Sequence, residues 1–215
     1  MAAYVIERAG GTVSLTGQEW LGANVALVDQ FPWFTSGVKE KTQARALYDD
    51  QALYLQFHCS DSHISAQARE LNGPVCRDSC VEFFASPHPD LREHYFNFEA
   101  NCCGAFHLGF AADRLKRQLI DAAAAKAIQV VSSIDAPTKD EQAEDKSWWL
   151  AARIPFAVVA EMAAMPIAPR KGDRWRGNMY RCGGVTNPQY ACWNWIDLPK
   201  PDFHTPKFFG EMVFG

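Results

Sequence analysis

The chain has 215 residues, 21 Lys and Arg against 25 Asp and Glu, and a net charge of -4; 48% of it is hydrophobic and 13% aromatic. That composition can bury the core of one large all-β domain without staples, and the absence of a basic stripe argues against nucleic acid as a partner. No run of about 20 apolar residues predicts a membrane span, and the opening stretch, MAAYVIERAGG, lacks a leader pattern, which leaves a cellular protein or one whose leader lies outside this chain.

In chain order, strand patterns dominate. Residues 42–47 and 52–59 flank Tyr48-Asp49-Asp50-Gln51, which reads as a hairpin turn. Residues 79–85 form a strand ending at Pro87-His88-Pro89. Residues 95–100 and 105–110 flank Asn101-Cys102-Cys103-Gly104, a second hairpin. The alanine-rich stretch 121–126 reads as a helical turn or a loop, and 127–134 as a strand. The acidic stretch 137–146 reads as a solvated loop, and 147–154 as a strand. Residues 155–162 predict one short helix with Pro155 in its first turn. Strands follow at 173–182, 190–195 and 208–214. Many strands at short spacing predict a single domain over residues 1–215: a jelly-roll-like β-sandwich of two antiparallel sheets with at most short helices.

Seven cysteines, Cys59, Cys76, Cys80, Cys102, Cys103, Cys182 and Cys192, make an odd count that argues against a complete disulfide framework. Cys76 and Cys80 beside Cys102-Cys103 raise a zinc reading, but no pair has C-x-x-C spacing. Free, buried, small apolar side chains are the expectation.

Alternation sorts side chains by face. Val81, Phe83 and Ala85 share one face, and Cys80, Glu82 and Phe84 the other. Phe96 and Phe98 oppose Tyr95, Asn97 and Glu99, so on neighbouring strands Glu82 stands near Asn97 or Glu99. Asn178 falls with Tyr180, and Trp193 with Trp195. A sheet face of Glu, Asn, Tyr and Trp is a poor core but a good sugar platform: indole stacks on ring C–H groups while polar groups bond the hydroxyls. The bland alternative makes both tryptophans core and pairs Glu82 with Arg77 or Arg181.

Arg77-Asp78-Ser79-Cys80-Val81-Glu82-Phe83-Phe84 resembles the D-S-V-E-[IF]-F strand of family 9 carbohydrate-binding modules. Ala46 to Asp50 with Leu53-Tyr54-Leu55, Tyr95 to Glu99, Trp175 to Arg181, and the ending from Trp195 through Pro201-Asp202-Phe203-His204 to Gly210 resemble the family's family-9-like branch, in order. The resemblance implies a sugar-binding β-sandwich, often recognising chain ends, attached to a secreted or periplasmic polysaccharide-degrading enzyme such as a glycoside hydrolase. It places the second of two stacking tryptophans on Trp195 and an acidic contact on Glu82. A basic family contact falls on Asn97, and the first tryptophan on Val75, both departures; Trp193, Tyr180 or His204 are the substitutes. Asn178 and Arg77 complete the expected contact set. Structural calcium, which the family binds, has acidic loop candidates in Asp49, Asp50 and Asp61.

Three rival readings stand beside an oligo- or polysaccharide binder. Glu82 and Glu99 on adjacent strands could act as acid and nucleophile of a glycoside hydrolase. His107, Met179 and Met212 are the residues a haem would need. A scaffold domain would bury the platform against a partner.

Overall fold

The computed structural model describes residues 3–91 and 93–215. Among them the chain forms β1 (Ala3–Arg8), β2 (Ala26–Leu27), β3 (Thr42–Tyr48), β4 (Ala52–Ser60), β5 (Cys80–Ser86), β6 (Tyr95–Asn101) and β7 (Phe106–Ala111). Then follow β8 (Gln118–Leu119), α1 (Ala122–Ala125), β9 (Gln129–Ser132), β10 (Ser147–Pro155), α2 (Phe156–Ala163), β11 (Arg174–Cys182), β12 (Tyr190–Cys192) and β13 (Gly210–Phe214). No helix among the described residues is long and apolar enough to cross a membrane.

The strands follow one hydrogen-bonded path, β8-β7-β6-β5-β11-β13-β1-β3-β4-β10-β9, with β12 beside β11 and β2 beside β3. This differs from the expectation of two separate antiparallel sheets. The seam is β1: residues 3–6 run parallel to β13 and residues 7–8 run parallel to β3. All other pairs of strands are antiparallel. The sheet curls so that its halves share one core. Phe83 and Phe98 from one half meet Leu55, Phe57 and Leu150 from the other in a single apolar cluster.

Local chemistry explains the elements. Asp49 Oδ1 accepts the backbone N–H groups of Gln51 and Ala52, each at 2.8 Å, closing the β3–β4 turn. Asp121 caps α1 by accepting from Ala123 and Ala124. Pro155 caps α2 instead of entering it, and Ala164 ends the helix in the left-handed conformation at φ 52. The stretch 137–146 is a loop pinned by a bridge between Ala66 and Lys139, and Asp145 ion-pairs with Lys139. Sequence patterning missed β1, β2 and β8. It also overextended β12, which stops at Cys192, so Trp193 and Trp195 lie beyond the strand. All seven cysteines are free thiols.

The faces of β5 and β6 turned away from the shared core are covered too. The segment 196–209, with prolines at 199, 201 and 206, lays Ile196, Phe203 and Phe209 over Phe84, Tyr95 and Tyr180 as a second cluster. This cover positions the site.

Candidate functional site

Between that cover and the sheet lies an open cavity of about 470 Å³. Its floor is a pair of carboxylates. Glu82 on β5 and Glu99 on β6 are direct cross-strand partners, both buried. Cys182 Sγ donates to Glu82 Oε1 at 3.2 Å, and Asn97 Nδ2 donates to Glu99 Oε1 at 2.8 Å. Burial raises the pKa of Glu82 well above the ordinary carboxylate value, and repulsion by Glu99 adds to it. Burial likewise raises Glu99, against the lowering pull of Asn97 and Arg117. Such a pair retains a proton where isolated carboxylates have lost theirs, so together they both donate and accept hydrogen bonds.

The basic side of the floor comes from Arg117, between β7 and β8, whose Nη1 lies 3.7 Å from Glu99 Oε1. It reaches there across Gly109, the cross-strand partner of Asn97. A Cβ on Gly109 would stand 2.9 Å from Arg117 Cδ and 3.0 Å from Asn97 Oδ1, so only glycine leaves the arginine this path. Arg117 Nη1, Asn97 Oδ1 and His107 Nε2 are buried without hydrogen bonds. Arg117, from the segment between β7 and β8, thus sets a guanidinium beside Glu99, next to the strand position of Asn97.

The walls are aromatic. Phe203 stacks on Tyr180 with centroids 4.1 Å apart and planes 8° from parallel, and Tyr180 Oη donates to the Phe203 carbonyl at 3.2 Å. Tyr190 meets Phe203 edge-on and leaves 42% of its surface exposed. His204 Nδ1 lies 2.9 Å from Tyr95 Oη. Burial, with Arg117 and Arg114 nearby, pushes the His204 imidazole down to about 3, so it is neutral. Asp202 holds the loop by accepting from the His204 backbone at 3.0 Å and from Arg114 at 3.3 Å.

Of the residues expected from sequence, Glu82, Arg77 and His204 line the cavity, as does Glu99. Asn97 is buried beside Glu99. Tyr180 stands behind Phe203. Asn178 is committed to Asn194, donating to its carbonyl at 2.8 Å and accepting its N–H at 2.9 Å. Trp193 packs edge-on against Tyr4 at the main core. Trp195 is 50% exposed and is not among the cavity's lining residues. Sequence reasoning missed Arg114, Arg117, Tyr190 and Phe203 as lining groups. The one local hint was Gly109 within an otherwise bulky strand, FHLGF.

The three candidate calcium aspartates do not gather. Asp49 closes the β3–β4 turn and accepts from Tyr54 Oη at 2.7 Å, while Asp50 pairs with Arg8. Asp61 follows the other end of β4 and is buried in an ion pair with Arg181. It also accepts from Ser79 Oγ at 2.7 Å and Trp148 Nε1 at 3.0 Å. Each is occupied by protein partners, so these residues do not fit a calcium site. Arg181 is thereby the partner of Asp61, and Glu82 faces Glu99 instead. Met179 and Met212 are buried in the main core, whereas His107 stands opposite Glu99 in strand register and faces away from that core, so no haem ligand set converges among the described residues.

Comparison with known proteins gives a consistent answer. A family model described as carbohydrate-binding family 9 matches residues 19–214. A structure from Bacteroides uniformis ATCC 8492, described as a candidate carbohydrate-binding protein, is 26% identical over 99% of both chains with a TM-score of 0.87. A family 9 carbohydrate-binding module from Caldicellulosiruptor kristjanssonii in complex with cellotriose superposes with a TM-score of 0.66 at 13% identity, covering 99% of this chain and 93% of that one. The same organism's module in complex with glucose gives 0.67 at 12% identity, covering 100% and 96%. At such identities these last two likenesses concern the fold alone. Among curated proteins, none matches the chain.

Proposed function

The chain belongs to carbohydrate-binding family 9, and from that premise we propose that it is a non-catalytic carbohydrate-binding domain whose ligand docks in the Glu82–Glu99 cavity. The observation that carries the reading is the paired, buried carboxylates flanked by Arg117 at the base of an aromatic-walled cavity. Sugar hydroxyls both donate and accept. A carboxyl pair holding a proton, an arginine and a neutral imidazole offer both partners in one small space. The Nη1 of Arg117, buried without a hydrogen bond, gains one when a hydroxyl enters. Tyr190 and Phe203 supply the apolar wall that Val75, buried beneath the second cluster, does not.

Trp195 remains the proposed second stacking position. An indole half exposed on a chain that buries most of its aromatics is a ligand-facing group in this reading. In the same reading the domain delivers a glycoside hydrolase partner to polysaccharide. The test is a glycan array followed by calorimetric titration with glucose and cellotriose, on wild type and Glu82→Gln. Saturable binding weakened by Glu82→Gln supports the proposal, and wild-type protein that binds no glycan refutes it.

One observation favours a second reading. Directly opposed carboxylates on antiparallel strands have Cβ atoms about 4.5–5.5 Å apart, close to the spacing of a retaining glycosidase's acid and nucleophile. Turnover of aryl glycosides that vanishes in Glu82→Gln would establish that reading over binding alone.

A further inference from the structure

A second groove, of about 590 Å³, lies on the outer face of the other half of the sheet, floored by β3, β4 and β10 and walled by the segment before β2. Register builds its floor. Gln43 pairs across with His58 and His58 with Trp149, while Arg45 pairs with Gln56. The alternate residues Ala44, Ala46, Leu55 and Phe57 point into the core, so these five side chains share the solvent side. Strands stand about 4.8 Å apart, so the row from Gln43 to Trp149 spans roughly two pyranose rings. Trp149 is half-buried against the small cluster of Trp20 and Tyr54, which holds its indole in place, and Leu21 on the wall is largely exposed.

Four polar side chains of the floor make no hydrogen bond among the described residues. Gln56 is only 8% exposed and lines the groove, and among the described residues its amide makes no hydrogen bond, nor does the side chain of Gln43, Arg45 or His58. Arg45 forms no ion pair among the described residues, and no carboxylate lines the groove. Burial and Arg45 lower the His58 pKa, so its ring is neutral and adds no charge. The groove thus carries an indole, one guanidinium without an ion pair among the described residues, and surplus donors. Its ligand must bring acceptors and a negative charge, the reverse of what the carboxylate-floored cavity asks.

We propose that this groove is a second glycan site, specific for an oligosaccharide bearing a uronate carboxylate, which Arg45 binds in its two-pronged geometry while Trp149 stacks on a sugar ring and Gln56 and His58 bond its hydroxyls. The choice of a glycan rests on the family reading; the two sites share no residue.

Titration by calorimetry or amide chemical-shift mapping at low salt, with trigalacturonate, cellotriose and tetraglutamate as probes, tests this. Wild-type protein should bind trigalacturonate, and Arg45→Gln and Trp149→Ala should each weaken it at least tenfold. Arg45 is only half-buried and makes no ion pair among the described residues, so its variant keeps the test valid if Trp149→Ala fails to fold. Glu82→Gln should leave trigalacturonate binding unchanged while weakening cellotriose, and Arg45→Gln should do the opposite. Failure of cellotriose alone would count against the cavity and not the groove. No trigalacturonate binding by the wild type, loss through Glu82→Gln but not Arg45→Gln, or equal affinity for tetraglutamate would each overturn the proposal.

Discussion

Glu82→Gln keeps the shape of the cavity floor and removes one of two facing acids. Its effect on affinity and on stability should have opposite signs. The amide cannot share the proton of the pair, and one hydrogen bond to a sugar hydroxyl is worth about 0.5–1.5 kcal/mol, so affinity should fall about 2- to 13-fold. Stability works the other way. Burial first, and the opposing Glu99 second, raise the folded pKa of Glu82 above its unfolded value of about 4.3. Between those values the native state binds more protons than the unfolded chain, so wild-type stability falls as pH rises from about 4.3 through the raised pKa. Each unit of elevation corresponds to about 1.4 kcal/mol lost once the pair is fully ionised. The substituted amide has no proton to lose and relieves Glu99 of its charged neighbour. Above the raised pKa the variant should therefore be more stable than wild type, with a flatter melting profile against pH. Calorimetric titration and thermal melts across a pH series that starts near the unfolded carboxylate value measure both. Wild-type stability that climbs with pH across this window, or a variant that melts lower while binding sugar unchanged, would refute the reasoning and make Glu82 a structural residue.

Trp195→Ala should cost about 1–3 kcal/mol of binding while barely moving the melting temperature, since half of the residue is already in solvent; a collapsed melt with intact affinity would place Trp195 in the core. Gly109→Ala puts a Cβ against Arg117 Cδ and should displace the guanidinium from Glu99, lowering affinity severalfold for less than about 1 kcal/mol of stability; titration alongside melting decides. Asp61→Ala leaves Arg181 buried and unpaired and should destabilise by about 3–5 kcal/mol in denaturant unfolding, and a wild-type-like midpoint would contradict the buried pair described above. Reductant should leave the melt unchanged and thiol counting should find seven free cysteines; a drop near the roughly 2–4 kcal/mol of a native disulfide would say otherwise.

Period-2 alternation and turn chemistry are local, and what they govern was readable from the chain alone. They set the β3–β4 and β6–β7 hairpins, the inward faces of β5 and β6, and the placing of Glu82 on a polar face near Glu99, because a strand's side-chain direction follows from its own backbone. The same rule failed at Trp193 and Trp195. Their shared parity means a shared face only while the chain stays extended, and β12 ends at Cys192, so one indole joined the core and the other reached solvent. Tertiary structure alone decided the rest. The seam at β1 depends on the chain's two ends meeting. Asp61 took Arg181, 120 residues away, as its partner, which left Glu82 facing another acid instead of an arginine. The 196–209 segment folded back to turn an open sheet face into a walled cavity, and Arg117 crossed Gly109 to stand beside Glu99. Each of these is an approach between segments distant in sequence, fixed by which surfaces bury one another, and no pattern within a single strand encodes it.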